Sequence, residues 1–214
     1  VNNLPLELSG NFSLPGDSMW FDLRFNSSVS ELSHFLNLVP PDYAHYLKDL
    51  QARGEASLNG SFKGIYFEED YPALDLLFRI EDGNMKYAGL PEEIRQIRGT
   101  MSVVKPQGDL NLTRVSISDV HAEIKNNPVN GSLTLANLME DLHFKGNLTG
   151  KVNFDHLKDA IPMDSVLISG LMDVDLDVEG NMSAIENKTY ELLKTGGEVA
   201  LSDFSFESNQ LSKP

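Results

Sequence analysis

Cysteine does not occur anywhere in the 214 residues, which removes disulfides, thiolate metal ligands and cysteine nucleophiles together. Basic residues are scarce as well: 17 Lys and Arg stand against 32 Asp and Glu, for a formal net charge of -15. That balance argues against a basic face tracking phosphates, so nucleic acid is not an expected partner, and against electrostatic docking on anionic headgroups. No apolar run approaches the roughly 18 residues of a membrane-spanning helix, and the first residues lack the three regions of a signal peptide. The chain opens on Val1 rather than Met and reads as an excised soluble portion of something longer, with any targeting or anchoring segment elsewhere.

Catalytic and metal-binding patterns are missing too. His34, His45, His121, His143 and His156 are scattered, with no pair at i, i+4 and no HExxH context. Neither a G-x-S-x-G elbow nor a P-loop occurs. The ladder Asp173, Asp175, Asp177, Glu179 resembles a calcium loop only superficially. Ligands must converge, whereas side chains at every second position of a strand lie in a row, so a solvated sheet face is expected. Glu68-Glu69-Asp70 reads as a loop. Triplets such as Asn59-Gly-Ser and Asn111-Leu-Thr follow from an Asn-, Ser- and Thr-rich composition and, without disulfides, make a weak case for a glycosylated surface protein. No enzyme, cofactor or metal is expected.

What the chain does have is alternation. Leu4, Leu6, Leu8, Phe12 and Leu14 share one parity, and the pattern returns in Ala56, Leu58 and Phe62 and in Leu74, Leu76, Phe78 and Ile80. Period two marks strands with one buried and one wet face. Asp82-Gly83 predicts a hairpin turn, after which Met85 and Tyr87 resume the pattern. Further strands are expected at Met101 and Val103, Leu110 and Leu112, Val115 and Ile117, Val120 to Ile124, Leu133 and Leu135, and Phe144 to Phe154. Met172, Val174, Leu176 and Val178 alternate with the acidic ladder. Pro106-Gln107-Gly108 and Asn126-Asn127-Pro128 supply turns.

Helical signals are short. Ser28 is placed to cap a segment carrying Val29, Leu32, Phe35 and Leu36 that ends at Pro40-Pro41, and Tyr43, Tyr46, Leu47 and Leu50 suggest a second. A turn around Pro91 to Ile97 and a piece around Ser183 to Leu193 complete the set. A strand, a short helix, a proline and the glycine-led strand from Gly54 are echoed by Val152 to Pro162 and the strand from Gly170; Ile80, Met85 and Tyr87 are echoed by Val199, Phe204 and Phe206. The predicted organisation is a first β-rich repeat over residues 1–147 and a second, truncated one over 148–214, forming one continuous unit. The fold class expected is mainly β: an antiparallel, curled or groove-like sheet with a few short helices.

The apolar face has two readings. Either it packs against a second layer as a sandwich core, or the sheet curls into a trough open to an apolar ligand. Periodicity does not separate them, but amphipathic helices are too few to cover so many strand faces.

Leu74-Asp-Leu-Leu-Phe-Arg-Ile-Glu-Asp-Gly83-Asn-Met-Lys-Tyr87, then Leu90-Pro91-Glu-Glu-Ile94-Arg-Gln-Ile97, and later Gly131-Ser-Leu-Thr-Leu, Phe144 to Phe154, Ile161-Pro162 and Gly170-Leu-Met-Asp-Val-Asp-Leu, occur in an order that resembles the repeating unit of bacterial AsmA-like proteins. The resemblance spans about residues 8 to 206 and rests on order rather than on any single motif. It implies a Gram-negative envelope protein, periplasmic and anchored in the inner membrane in its parent form. That family is related to TamB and to eukaryotic bridge-like lipid transfer proteins. The implied role is outer-membrane biogenesis, through an apolar β-groove that binds phospholipid or another acyl-chain ligand, with envelope proteins as further partners. The wall of that groove is assigned to Leu58, Phe62, Leu74, Leu76, Phe78, Ile80, Leu110, Leu112, Leu148, Val152, Val174, Leu176 and Val178. The alternative is a protein- or glycan-binding module, which requires a closed core and clustered loop aromatics; the single tryptophan is Trp20.

Overall fold

The computed structural model describes residues 4–38, 47, 49–163 and 166–208. The proposed second helix through Tyr43 and Tyr46, its flanking Pro40-Pro41 and His45 lie outside these residues. Ten strands follow one another: β1 (Glu7–Ser13), β2 (Met19–Glu31), β3 (Leu50–Tyr66), β4 (Ala73–Tyr87), β5 (Ile94–Lys105), β6 (Arg114–Ile124), β7 (Asn127–Ala136), β8 (His143–Asn153), β9 (Val166–Asn181) and β10 (Lys194–Ser208). Each pairs antiparallel with its neighbours in chain order, giving one ten-stranded sheet that is not closed. The expected mainly β, antiparallel architecture is therefore present.

Among the described residues three short α-helices interrupt the meander: α1 (Leu32–Phe35), α2 (Phe154–Ala160) and α3 (Met182–Glu186). Asn153 caps α2 by accepting from the amides of Asp155 at 3.0 Å and His156 at 3.2 Å. Ser28 caps nothing: β2 continues to Glu31, and α1 begins only at Leu32, without a side-chain cap. The apolar spacing still orients this helix, because Leu32 and Phe35 are buried while Val29 is exposed. The segment from Pro91 to Ile97 is not helical beyond its opening bend, since Ile94 already starts β5. Around Ser183 to Leu193 the chain forms α3 and then a 3-10 turn at Tyr190–Leu192.

Parity breaks in the sequence coincide with β-bulges. Asp82-Gly83 is not a hairpin: β4 runs through it, with Asp82 at φ 49° and the pairing shifting from Ile80 opposite Gly99 to Gly83 opposite Ile97. Val115 and Ile117 share one strand with Val120, Ala122 and Ile124, because a bulge at Asp119 absorbs the odd residue between them. Gln96 in β5 and Asp203 in β10 are likewise at positive φ beside register shifts. One extra residue inverts all later side chains, and the bulge turns them back to the same face while bending the strand.

The internal repeat has a structural counterpart. Arg53 pairs with Asn84 and Glu55 with Glu81; in the later strands Ser169 pairs with Ser205 and Leu171 with Ser202, the same shift around Gly54 and around Gly170. By this register Ile80 corresponds to Leu201 and Met85 to Phe206, two residues farther along than the sequence echo suggests. The correspondence includes β8, which straddles the division at 147/148 and belongs to the same sheet.

Gly54 has φ 106°, and a Cβ there would lie 2.5 Å from the carbonyl oxygen of Asp82. We expect Gly54→Ala to lower stability by about 2 kcal/mol, measured by chemical denaturation. An unchanged midpoint would mean that the bulge relaxes without cost.

Candidate functional site

Antiparallel register turns the separate alternations into rows crossing the sheet. Leu58 faces Phe78, then Met101, Ile117 and Leu133 on successive strands, and Gly146 and Val178 continue the row. A second row runs from Phe25 through Gly60, Leu76, Val103, Val115 and Leu135 to Phe144. Leu148 and Leu176 pair in a third row, and Val174 and Val199 in a fourth. Gly60 is placed where a Cβ would overlap the Phe25 ring, so its missing side chain lets the aromatic ring lie across β3.

All the wall residues assigned from the sequence lie on this one face except Leu110 and Leu112. Those two form a 3-10 turn between β5 and β6, outside the sheet, because the Asp109 carboxylate accepts from the Asn111 amide and holds the backbone in a turn. Their side chains therefore do not continue the rows, and Leu112 is 53% exposed. Met101, Val103, Val115, Ile117, Leu133, Leu135 and Phe144 belong to the face but were not among the assigned residues. Their alternation was visible; what linked them to the others was cross-strand register, which a single sequence does not contain.

Coverage of the face is partial. Leu58 and Val174 are buried, whereas Phe62, Leu76, Phe78, Leu148, Leu176 and Val178 are only partly buried. Helix α1 lies over β3, with Phe35 against Phe78 at 5.3 Å between ring centroids, and helix α2 sets Phe154 against Phe204 at 5.5 Å. Beside each helix is an apolar cavity. One of about 320 Å³ is lined by Leu36, Leu76, Ile80, Met85 and Met101, and the other, of about 270 Å³, by Ile94, Ala122, Val129, Val152 and Leu157. Lys125 fastens the end of α2 by pairing with Glu92 at 3.3 Å and Asp159 at 3.7 Å.

A buried cation sits where the face meets the loops. Lys105 lies opposite Leu74, and its ammonium donates to the carbonyls of Tyr71 (2.9 Å), Pro106 (2.9 Å) and Gly108 (3.1 Å). Burial pushes its pKa down, opposed by the charges of Asp70 and Asp109. All three donors are occupied, so this amine ties the β3–β4 and β5–β6 loops together.

The opposite face is polar. The acidic ladder is matched by basic neighbours: Lys151 meets Asp173 at 3.3 Å, and Glu179 takes Lys194 at 2.8 Å and Lys145 at 3.1 Å. Hydrogen bonds from Lys194 and Lys145 hold the Glu179 carboxyl down at about 2. Asp141 accepts from Asn181 Nδ2 at 2.8 Å and from the Ser183 amide (3.0 Å) and hydroxyl (2.7 Å), fixing the start of α3. Its pKa is lowered by these bonds, with that from Asn181 the largest. Ser183 thus donates its hydroxyl to a carboxylate, and His143 Nδ1 contacts Asn181 Oδ1. Among the described residues no group of three potential ligands could hold a metal ion, and no helix is long and apolar enough to cross a membrane.

Comparison with protein-family models, curated proteins and solved structures finds no match.

Replacing Lys105 by Met removes its donor from three carbonyls, of which those of Tyr71 and Gly108 keep each other's amides as partners, and thermal unfolding should show a loss of about 2 kcal/mol; an unaltered transition would mean that water replaces the amine. Glu179 has a folded pKa below its ordinary value of 4.5, so the unfolded chain binds more protons as pH falls towards 2. Its contribution is present above pH 4.5 and disappears on that descent, and Glu179→Gln should flatten the acid limb of a stability-against-pH curve over this window. A limb of unchanged slope would assign the acid sensitivity to other carboxylates.

Proposed function

We propose that the apolar face is a lipid-binding wall, and that the chain is part of an AsmA-like envelope protein whose β-groove holds phospholipid or passes it between membranes. The observation that supports this reading is the continuity of the apolar rows over successive strands of an open sheet, with α1 and α2 the short helices that lie on them among the described residues. Acyl chains would run along the rows, each methylene gaining about 0.8 kcal/mol on leaving water. Such contacts are non-directional and similar from row to row, so a chain is held without being fixed at one position. Headgroups would stay at the margin, in solvent. The order of sequence motifs that resembles AsmA-like proteins implies, for this reading, a periplasmic setting within a parent anchored in the inner membrane, and a role in outer-membrane biogenesis. No catalytic step is needed.

A protein- or glycan-binding module is the second reading. It draws on one corner of the sheet, where Tyr66 and Tyr71 pack at 5.5 Å and Phe67 is exposed.

Native mass spectrometry with lipid extraction separates the two. The expected result is phospholipid bound at defined stoichiometry and lost from Leu76→Asp and Leu176→Asp proteins that retain their β-sheet circular dichroism. A clean unliganded mass after purification from lipid-rich conditions would reject the lipid wall in favour of the second reading.

A further inference from the structure

Strands β9 and β10 repeat the geometry of β3 and β4 closely enough for the two to be compared residue by residue. Gly54 at φ 106° packs on the Asp82 carbonyl, and Gly170 at φ 104° packs on that of Asp203; Asp82 and Asp203 have φ 49° and 52°. Leu58 opposite Phe78 corresponds to Val174 opposite Val199. Each pair is preceded by a strand and a short helix lying on the apolar face.

The two arrangements differ at one edge. β4 carries β5 on its second side, with Leu76 opposite Val103, Phe78 opposite Met101, Ile80 opposite Gly99 and Met85 opposite Ile94. β10 has no partner on that side among the described residues. Its inward side chains are consequently open: Val199 is 50%, Leu201 51%, Phe204 42% and Phe206 46% exposed. Free edges are usually guarded by charged side chains, lysine above all, by proline, by bulges or by shortness; β10 carries the bulge at Asp203 and the acidic Glu198 and Glu207. From Gly196 to Ser208 this edge has no Lys, Arg or Pro, and the strand is 15 residues long. The other free edge, β1, is 7 residues long.

We infer that β10 is a docking edge for an extended segment that adds an eleventh strand in antiparallel sense, as β5 adds to β4. The register specifies the occupant. Apolar residues belong at alternate positions, opposite Gly197, Val199 and Phe206, with a small residue opposite Leu201 where β4 has Gly99 opposite Ile80. Between them, basic or neutral residues suit the acidic Glu198, Asp203 and Glu207. β5 itself has this chemistry, carrying Arg95, Arg98 and Lys105 and no acidic residue. The inference concerns the edge and does not depend on the lipid reading.

A synthetic peptide of residues 94–105 is the probe, added to the intact chain and followed by hydrogen–deuterium exchange. Amides of residues 197–206 should exchange at least about tenfold more slowly with peptide present, while a scrambled peptide lacking alternation has no effect. Val199→Asp combined with Phe204→Asp should abolish the protection, and Val29→Asp, at an exposed site in β2, should leave it intact. Should the double variant fail to fold, Glu198→Lys with Glu207→Lys tests the same edge by weakening peptide binding several-fold at low salt. Absence of protection, protection at β1 instead, or a stable dimer through β10 in sedimentation equilibrium would each overturn the proposal.

Discussion

Side chains on a strand alternate with a period of two, and the organisation of this sheet depends on how that phase is kept along long strands. An apolar pattern that skips one residue would send its remaining side chains into solvent on the far face. In β4, β6 and β10 the skip is absorbed by a bulge at Asp82, Asp119 or Asp203, each at positive φ. Aspartate tolerates that region better than most residues because its short side chain bonds locally. The cost of the strained residue is offset by every apolar side chain beyond it that returns to the common face. Those bulges also bend the strands, so one device keeps the rows continuous and curves the surface that carries them.

With phase maintained, antiparallel pairing assembles a surface that no single strand contains. Neighbour-to-neighbour connectivity confines pairing to strands adjacent in the chain, and the rows extend because every strand repeats the same rule. Among the described residues the sheet has no second layer of comparable size, and burial is accordingly shallow: Ala52, Ala56, Leu58 and Val174 are buried near the helices, whereas the edge strands expose Leu8, Phe12 and Leu201. Stability therefore rests heavily on the hydrogen-bonded ladder and on local fasteners. Lys105 joins two loops, and Gln107 pairs with both backbone groups of Ile65 at 3.1 and 2.7 Å, standing in for a strand where β3 runs past the start of β4.

The two faces divide the chemistry. Acidic residues are held outward by alternation with Met172, Val174, Leu176 and Val178, and part of their mutual repulsion is relieved by Lys145, Lys151 and Lys194 on the flanking strands. An apolar ligand would meet carbon on one side while the other side presents charge to water.

Alternation by itself determined that the chain is mainly β, that Leu58, Phe78, Leu148 and Leu176 face one way on their strands, and that the acidic ladder faces water. These are properties of one strand, and period two states them without reference to any neighbour. Leu110 and Leu112 show the limit: their spacing matches a strand, but Asp109 bonds the backbone into a turn, and two apolar residues are too short a pattern to tell the difference. Asp82-Gly83 shows another, since the same dipeptide suits a hairpin and a bulge, and only the facing strand at Gly54 selects between them. Tertiary structure alone decided which runs stand side by side, that Met101, Ile117 and Leu133 extend the wall, and that Lys105 is buried. Register, bulge placement and edge exposure are relations between strands, fixed by hydrogen bonds across distances that a local pattern does not encode.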